Sequence, residues 1–173
     1  VTSVHGSPAI WQRFSAHVQR HEIDLPHVRT VAMYGAPVAP QALELYRQVM
    51  PHVRVITPYG ATECLPVAVA SSEEVLARSG AGVFLGPAAP GVEWQLVNTQ
   101  ALPGIPFPVG DLLVRARHAT PGYFSLKGIT PPRSDGWHPM GDVGYFDAAG
   151  CFWFCGRRAH VVTTYDGRTY VPM

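Results

Sequence analysis

Charge is scarce in this sequence. Of its 173 residues only 14% are Asp, Glu, Lys or Arg, where soluble domains carry about a quarter. Such scarcity points to surface that another part of the protein covers. Lysine is nearly absent: Lys127 stands alone among twelve arginines. The 13 basic and 12 acidic residues almost cancel, to a net charge of +1, and the arginines are scattered. A basic stripe of the kind that tracks a nucleic-acid backbone or an anionic membrane is therefore lacking, and nucleic acid is not an expected partner. Cysteine is sparse too. Cys64, Cys151 and Cys155 are odd in number and lack framework spacing, which argues against a secreted disulfide scaffold and fits a reducing cytoplasm. Cys151 and Cys155 lie four apart in strand-like sequence and so share a face. A metal site there would need two more ligands, and buried apolar thiols are the expectation. No apolar run reaches the length needed to cross a bilayer, and no basic segment leads into an apolar one as in a signal peptide. The chain opens on Val1 and reads as an internal piece of a longer protein.

What is present is core. Nearly half of the residues, 47%, are hydrophobic. Ser7 and Pro8 form a helix start, serine as N-cap and proline in the first turn. The helix is predicted to run to about Arg20, with Ile10, Phe14 and Val18 on one face. A buried strand is predicted over 28–33, a helix over 40–49 carrying Leu43 and Leu45, and a second buried strand over 53–57 that ends at Pro58-Tyr59-Gly60. Two strand–loop–helix units in succession imply parallel strands with helices packed on them.

After about Ala70 the character changes. Ser71 and Glu74 have capping-box spacing for a short helix. Glycine and proline then become frequent. Short strands are predicted at 92–97, 112–115, 143–146, 152–154 and 161–164, separated by turns such as Asp147-Ala148-Ala149-Gly150. This pattern predicts an antiparallel, barrel-like unit. The chain thus divides into an α/β part, 1–85, and a β part, 86–160. It contains no internal repeat.

Four loops could carry chemistry. Thr57 to Glu63 follows a predicted parallel strand, where open α/β sheets bind ligands. It offers an aromatic face, a glycine for close backbone approach, a hydroxyl and a carboxylate, parts suited to a base, a phosphate and a divalent cation. Taken alone it reads as well as an ordinary turn with a capping threonine. Tyr34-Gly35-Ala36-Pro37 could lie flat against a planar ring, or simply turn strand into helix. Asp142, between Gly141 and Val143-Gly144, could accept hydrogen bonds from two ribose hydroxyls, or shape the turn. Arg157, after Gly156, has a planar fork of donors that suits phosphate or ribose, or lies on the surface. Among the eight histidines only His17 and His21 stand at HxxxH spacing, away from these loops; His160 is closest to the loops, with a solvated or structural role as the alternative.

The order of these signals resembles the adenylate-forming superfamily of acyl-CoA synthetases, peptide-synthetase adenylation domains and luciferases. Tyr59-Gly60-Ala61-Thr62-Glu63 matches its Tyr-Gly-x-Thr-Glu motif. Gly110-Asp111-Leu112 through Gly122-Tyr123 resembles its Gly-Glu-Leu…Gly-Tyr segment. Trp137 through Gly144 resembles Trp…Thr-Gly-Asp-x-Gly, and Asp147 to Gly150 leads to Gly156-Arg157 as Asp-x-x-Gly leads to Gly-Arg. Tyr34 to Pro37 is similar to the adenine loop. Together these span nearly the whole chain. The resemblance implies a piece of the large N-terminal domain, strand–helix units of a parallel sheet followed by a distorted antiparallel β-barrel subdomain, with 161–173 as the hinge toward a C-terminal domain. It implies ATP or AMP and Mg²⁺ as cofactors and a carboxylic acid as substrate, with CoA as one possible acceptor. Tyr59 would pack on adenine, with the Gly35-Ala36-Pro37 backbone opposite and Gly60 beside it. Thr62 would bind the α-phosphate and Glu63 the Mg²⁺, making these two the catalytic pair. Asp142 would take the ribose hydroxyls, Arg157 ribose or phosphate, and Tyr145 and Phe154 would wall the nucleotide. Small side chains over 67–71 would line an acyl tunnel.

The flavour of the 57–67 loop and of the hinge resembles the olefin-pathway β-lactone synthetases, which implies a fatty or β-hydroxy fatty acid. Departures from the family pattern are Met140 for threonine, His160 for the hinge aspartate and Asp111 for glutamate. They leave a non-catalytic binding module as the alternative. No Ser/Thr/Gly-rich loop followed by lysine occurs, and Lys127 reads as a solvated loop lysine rather than the catalytic one. The chain alone is therefore expected to be inactive, completed by further N- and C-terminal parts.

Overall fold

The computed structural model describes residues 1–126, 128–130 and 135–172; Lys127 lies outside them. The first part runs β1 (Ser3–Gly6), α1 (Pro8–Arg20), β2 (Thr30–Met33), α2 (Pro40–Val49), β3 (Arg54–Ala61), β4 (Cys64–Ser71) and the short α3 (Ser72–Leu76). Its four strands form one sheet in the order β1-β2-β3-β4. The first three are parallel and β4 returns antiparallel to β3.

Local chemistry explains the helices. α1 and α2 both open with proline in the first turn, where its missing N–H is no loss. Ser71 closes a capping box on α3: its Oγ accepts from Glu74 N at 3.2 Å, and Glu74 Oε2 accepts from Ser71 N at 2.8 Å. The buried stripe of α1 is Trp11, Ser15 and Val18, and Ile10, expected inside, is 61% exposed. Trp11 carries the larger apolar area and takes the inward position, meeting Tyr46 of α2 edge-on at 5.5 Å. Ser15 follows it inward because its hydroxyl donates to the Trp11 carbonyl at 2.9 Å.

The strand expected to stop before Pro58-Tyr59-Gly60 instead continues through them as β3 and turns back as β4. Pairing to β2 ends at Ala32↔Ile56, so beyond Ile56 one edge of β3 has no paired strand among the described residues. Proline is tolerated at such an edge. Pro66 of β4 likewise sits on the outer strand of the sheet.

The second part comprises β5 (Val83–Gly86), β6 (Val92–Gln100), β7 (Val109–Ala116), β8 (Tyr123–Ser125), β9 (Gly128–Thr130), β10 (His138–Phe146), β11 (Phe152–Arg157), a 3₁₀ turn at Arg158–His160, β12 (Val162–Thr163) and β13 (Thr169–Tyr170). Five of these strands form an antiparallel sheet in the order β5-β11-β10-β7-β6, and β8/β9 and β12/β13 are separate hairpins. This sheet stands where the barrel-like unit was predicted. Its edge strand β5 runs over Val83–Gly86.

The two sheets share their cores. One buried cluster joins Val31, Met33 and Val55 to Tyr145, Trp153 and Cys155. The other joins Cys64 and Val67 to Leu112, Val114 and Phe152. All three cysteines are buried and unbridged. Among the described residues no helix is long and apolar enough to cross a membrane.

Candidate functional site

A cavity of about 410 Å³ opens where the ends of β2 and β3 meet β10 and β11, within the usual range for a small-molecule site. Gly35, Ala36 and Pro37 reach it from the loop after β2, and Tyr59 and Gly60 from β3. Asp142 comes from β10, and Phe154 and Arg157 from β11. Residues as far apart in sequence as Gly35 and Arg157 are thus brought to one wall.

Asp142 is its electrostatic centre. It is only 4% exposed and stands directly opposite Arg157 in the β10–β11 ladder. The Tyr59 hydroxyl donates to its Oδ2 at 2.5 Å. Arg157 Nη1 lies 3.0 Å from Oδ1 while donating to the Met140 carbonyl at 3.1 Å. Apart from Arg157, Oδ1 has no partner among the described residues, and it is closed to solvent. Burial raises the Asp142 carboxyl above the ordinary aspartate value, and the Tyr59 hydrogen bond and the Arg157 charge only partly offset it. Burial, with the Asp142 charge second, pushes the Tyr59 phenol well above its ordinary value, so Tyr59 remains a donor at neutral pH. The result is a buried carboxylate in the cavity wall, held by the Tyr59 hydroxyl and faced by the Arg157 guanidinium.

The glycines have separate reasons. Gly35 has φ +87, a left-handed backbone that glycine adopts without strain. At Gly60 a Cβ would meet the Cys64 carbonyl at 2.5 Å and Leu65 Cδ1 at 2.8 Å. The β3–β4 return itself therefore demands glycine there, before any ligand is considered.

Other expected residues lie apart from the cavity. Thr62 and Glu63 form the turn between β3 and β4 and are not in its lining. Glu63 Oε1 accepts from the Tyr123 hydroxyl at 3.1 Å, and its carbonyl from Thr120 N at 2.7 Å. Tyr145 is 2% exposed and stacks in the core between Phe107 and Trp153, with centroids at 5.9 Å from each. Val67, Ala68 and Ala70, read from sequence as lining a tunnel, are fully buried in packed core.

The departures also find places. Met140 turns its side chain into the second core cluster at 5% exposure, and only its carbonyl meets Arg157. Asp111 accepts from Asn98 at 2.8 Å and pairs with Arg158 Nε at 2.9 Å, tying β7 to the 3₁₀ turn. His160 does line the cavity. Pattern reading missed Phe84 of β5 and Pro172, which also line it. The apolar run Val83-Phe84-Leu85 between glycines was the available signal for the first. For Pro172 it was Gly156: a Cβ there would lie 2.7 Å from the Pro172 carbonyl, so glycine admits the C-terminal stretch to the wall.

Comparison with known proteins shows the family and the fold. Residues 1–124 match the family described as AMP-binding enzyme, and the chain belongs to that family. It is 35% identical to an olefin β-lactone synthetase from Stenotrophomonas maltophilia over 98% of this chain and 35% of that protein. It is 36% identical to one from Xanthomonas campestris pv. campestris, over 98% of this chain and 34% of the relative. The chain therefore spans about a third of the length of the relatives it matches. Among solved structures it resembles an amide bond synthetase from Marinactinospora thermotolerans, with TM-score 0.75, 24% identity, and coverage of 99% of this chain and 34% of the other. It also resembles the O-succinylbenzoate coenzyme A synthetase of Bacillus subtilis in complex with its acyl-adenylate intermediate, with TM-score 0.76, 21% identity, and coverage of 99% and 34%. These two likenesses show the shared fold.

Proposed function

We propose that this chain forms the nucleotide-facing wall of a ligase that uses ATP to activate a fatty or β-hydroxy fatty acid as its acyl-adenylate. The observation that carries the reading is the buried Asp142 carboxylate in the cavity wall, held by Tyr59 and Arg157 where the ends of β3, β10 and β11 meet. Adenine would lie between the Tyr59 ring and the Gly35-Ala36-Pro37 backbone, with Phe154 as a further wall. Its ribose would meet Asp142, and Arg157 would face ribose or phosphate. The acid class follows the two olefin β-lactone synthetases, with a CoA ligase as the neighbouring alternative.

Mg²⁺ fits this donor set only in company with the nucleotide. Among the described residues no three His, Cys, Asp or Glu side chains gather into a metal cage. Mg²⁺ in nucleotide sites commonly takes one or two carboxylates, with phosphates and waters completing it. Glu63 would supply the carboxylate and Thr62 a hydroxyl to the α-phosphate. Bound there, the ion would neutralise charge on the phosphates. The three buried thiols support a reducing, cytoplasmic setting. With Lys127 as its one lysine and no phosphate loop, the chain alone is expected to bind without forming the adenylate.

Calorimetric titration of the full-length protein with a non-hydrolysable acyl-adenylate analogue, beside Asp142→Ala, tests the site. Loss of charge-assisted hydrogen bonds should weaken binding by roughly one to two decades. Binding indifferent to Asp142 would favour a non-catalytic module. Product analysis then separates a β-lactone from a thioester.

A further inference from the structure

Helix α1 ends on two histidines one turn apart. His17 and His21 are both exposed, and their ring centroids lie 4.4 Å apart with the planes inclined at 44°. We propose that these two imidazoles form a surface site for a borderline transition-metal dication, Cu²⁺ foremost, as neighbouring ligands with water completing the coordination. Helix α1 contributes no residue to the cavity, and the site does not depend on the nucleotide reading.

The backbone holds the pair in register. His21 N donates to the His17 carbonyl at 3.0 Å, so the two side chains rise from successive turns on one face, where residues four apart are neighbours. Beyond His21 the helix closes with Ile23 N on the Val18 carbonyl at 3.0 Å and Glu22 N on the Gln19 carbonyl at 3.4 Å. This pair of bonds stops a helix through a left-handed residue. That residue is Glu22, with φ +50, where glycine is the usual occupant. His21 is thereby fixed at a helix end that would otherwise fray. Neither imidazole has a hydrogen bond or ion pair among the described residues, so no protein group must be displaced before a metal binds.

The spacing selects the coordination geometry. An imidazole nitrogen binds a transition metal at about 2.0–2.1 Å, which puts the ring centre about 3.2 Å from the ion. Two such rings at a right angle about the ion stand about 4.5 Å apart, and at a tetrahedral angle about 5.2 Å. The observed 4.4 Å fits the right angle. That is the relation of neighbouring ligands around tetragonal Cu²⁺ or Ni²⁺, whereas Zn²⁺ prefers the tetrahedron. A donor set of nitrogen alone suits these ions and not Mg²⁺ or Ca²⁺. No third His, Cys, Asp or Glu joins the pair among the described residues, so the remaining positions are open to water and the ion can exchange. Arg13 and Arg20 of the same helix oppose a cation, but both are exposed and screened by solvent. The partial negative charge of the helix C-terminus favours one.

The test is calorimetry of the full-length protein with Cu²⁺, Ni²⁺, Zn²⁺ and Mg²⁺, for the wild type, His17→Ala, His21→Ala and the double variant. The wild type is expected to bind Cu²⁺ roughly tenfold or more tightly than either single variant, the gain from a second donor held at high effective concentration. Ni²⁺ and Zn²⁺ should bind more weakly than Cu²⁺, and Mg²⁺ should not distinguish the wild type from the double variant. Electron paramagnetic resonance of the equimolar Cu²⁺ complex should show two imidazole nitrogens in the wild type and one fewer in each single variant, a signature that altered helix packing would not produce. A wild-type Cu²⁺ affinity within about twofold of the double variant's, well short of a chelate gain, would overturn the site. So would a resonance spectrum that neither substitution changes, or a preference for Zn²⁺ over Cu²⁺. Thermal melts of the metal-free variants establish that each is folded, with His17→Gln and His21→Gln as polar counterparts.

Discussion

Asp142 and Arg157 occupy directly opposed positions of the β10–β11 ladder and meet at 3.0 Å, yet the Asp142 side chain is 5% exposed and that of Arg157 55%. The pair is lopsided, a buried anion beside a wet cation. Burial therefore outweighs the attraction and the Asp142 carboxyl titrates above its ordinary value. A raised carboxyl favours the neutral form in the folded state. Its contribution to stability is present below the ordinary aspartate value and is lost as pH rises through the raised one.

Asp142→Asn removes that penalty, since the amide cannot ionise. The variant should melt higher than the wild type at pH 7, and the gain should vanish below about pH 3.9, the ordinary aspartate value. Thermal melts at the two pH values check this. A loss of stability at pH 7 would show that Tyr59 and Arg157 more than compensate the burial.

Asp147 has the opposite character. Burial acts to raise its carboxyl, but hydrogen bonds from Trp153 Nε1 and from the Cys151 and Ala149 N–H groups outweigh it and lower the value. Those bonds measure 2.9, 3.0 and 3.0 Å and close the turn that leads into β11. For a lowered carboxyl the stability is present above the ordinary value and lost as pH falls through the lowered one. Asp147→Ala should cost about 2–3 kcal/mol at pH 7, the scale of hydrogen bonds to a charged group. The difference from wild type should narrow at low pH. Urea titrations at pH 7 and pH 3 measure both.

Gly144 lies at the bulge where β10 slips against β11. A Cβ there would stand 2.1 Å from the Trp153 carbonyl and 2.5 Å from the Phe152 ring. Backbone on one side and a buried aromatic on the other leave no route for relaxation. Gly144→Ala should cost about 3 kcal/mol or more, the upper end of overpacking effects. Gly91→Ala, where nothing lies within 4 Å but φ is +78, should cost about 1 kcal/mol, from backbone strain alone. Chemical denaturation of the two variants side by side gives the comparison.

The thiols should be inert in the native protein. Burial pushes Cys155 up to about 11 and raises Cys64 and Cys151 as well. The thiolate is the reactive form, and these are withheld both by protonation and by access. A colorimetric thiol reagent at pH 8 should label fewer than one group per chain in buffer and all three in guanidinium. Rapid native labelling would show that the core around β11 opens locally.

Legibility in the sequence followed the range of the interactions. α2 could be read to its observed ends, because proline at its start and apolar spacing within it are both local. The capping box of α3 was equally plain. β1 was too short to register. β4 was missed because Cys64-Leu65-Pro66-Val67-Ala68-Val69-Ala70-Ser71 neither alternates nor avoids proline, and it is a strand because β3 turns back onto it. Ile10 was misplaced because a helix face is decided by its partner, here Tyr46. Within the site, Asp142 and Arg157 were legible through the glycines that frame them. Their direct opposition, and the reach of Tyr59 to the same carboxylate, depend on how β10, β11 and β3 meet.

The hydrogen bond from Tyr59 to Asp142 joins residues 83 positions apart. Closing so long a loop carries an entropic cost that only later contacts repay. Hairpins can form early from their own turns, but this cavity comes into being only when the two sheets have docked. A ligand that recognises the completed wall would therefore bind the folded chain and ignore its partly formed predecessors. By mass action it would then stabilise the docked pair of sheets, by about 2.7 kcal/mol at a concentration one hundred times its Kd.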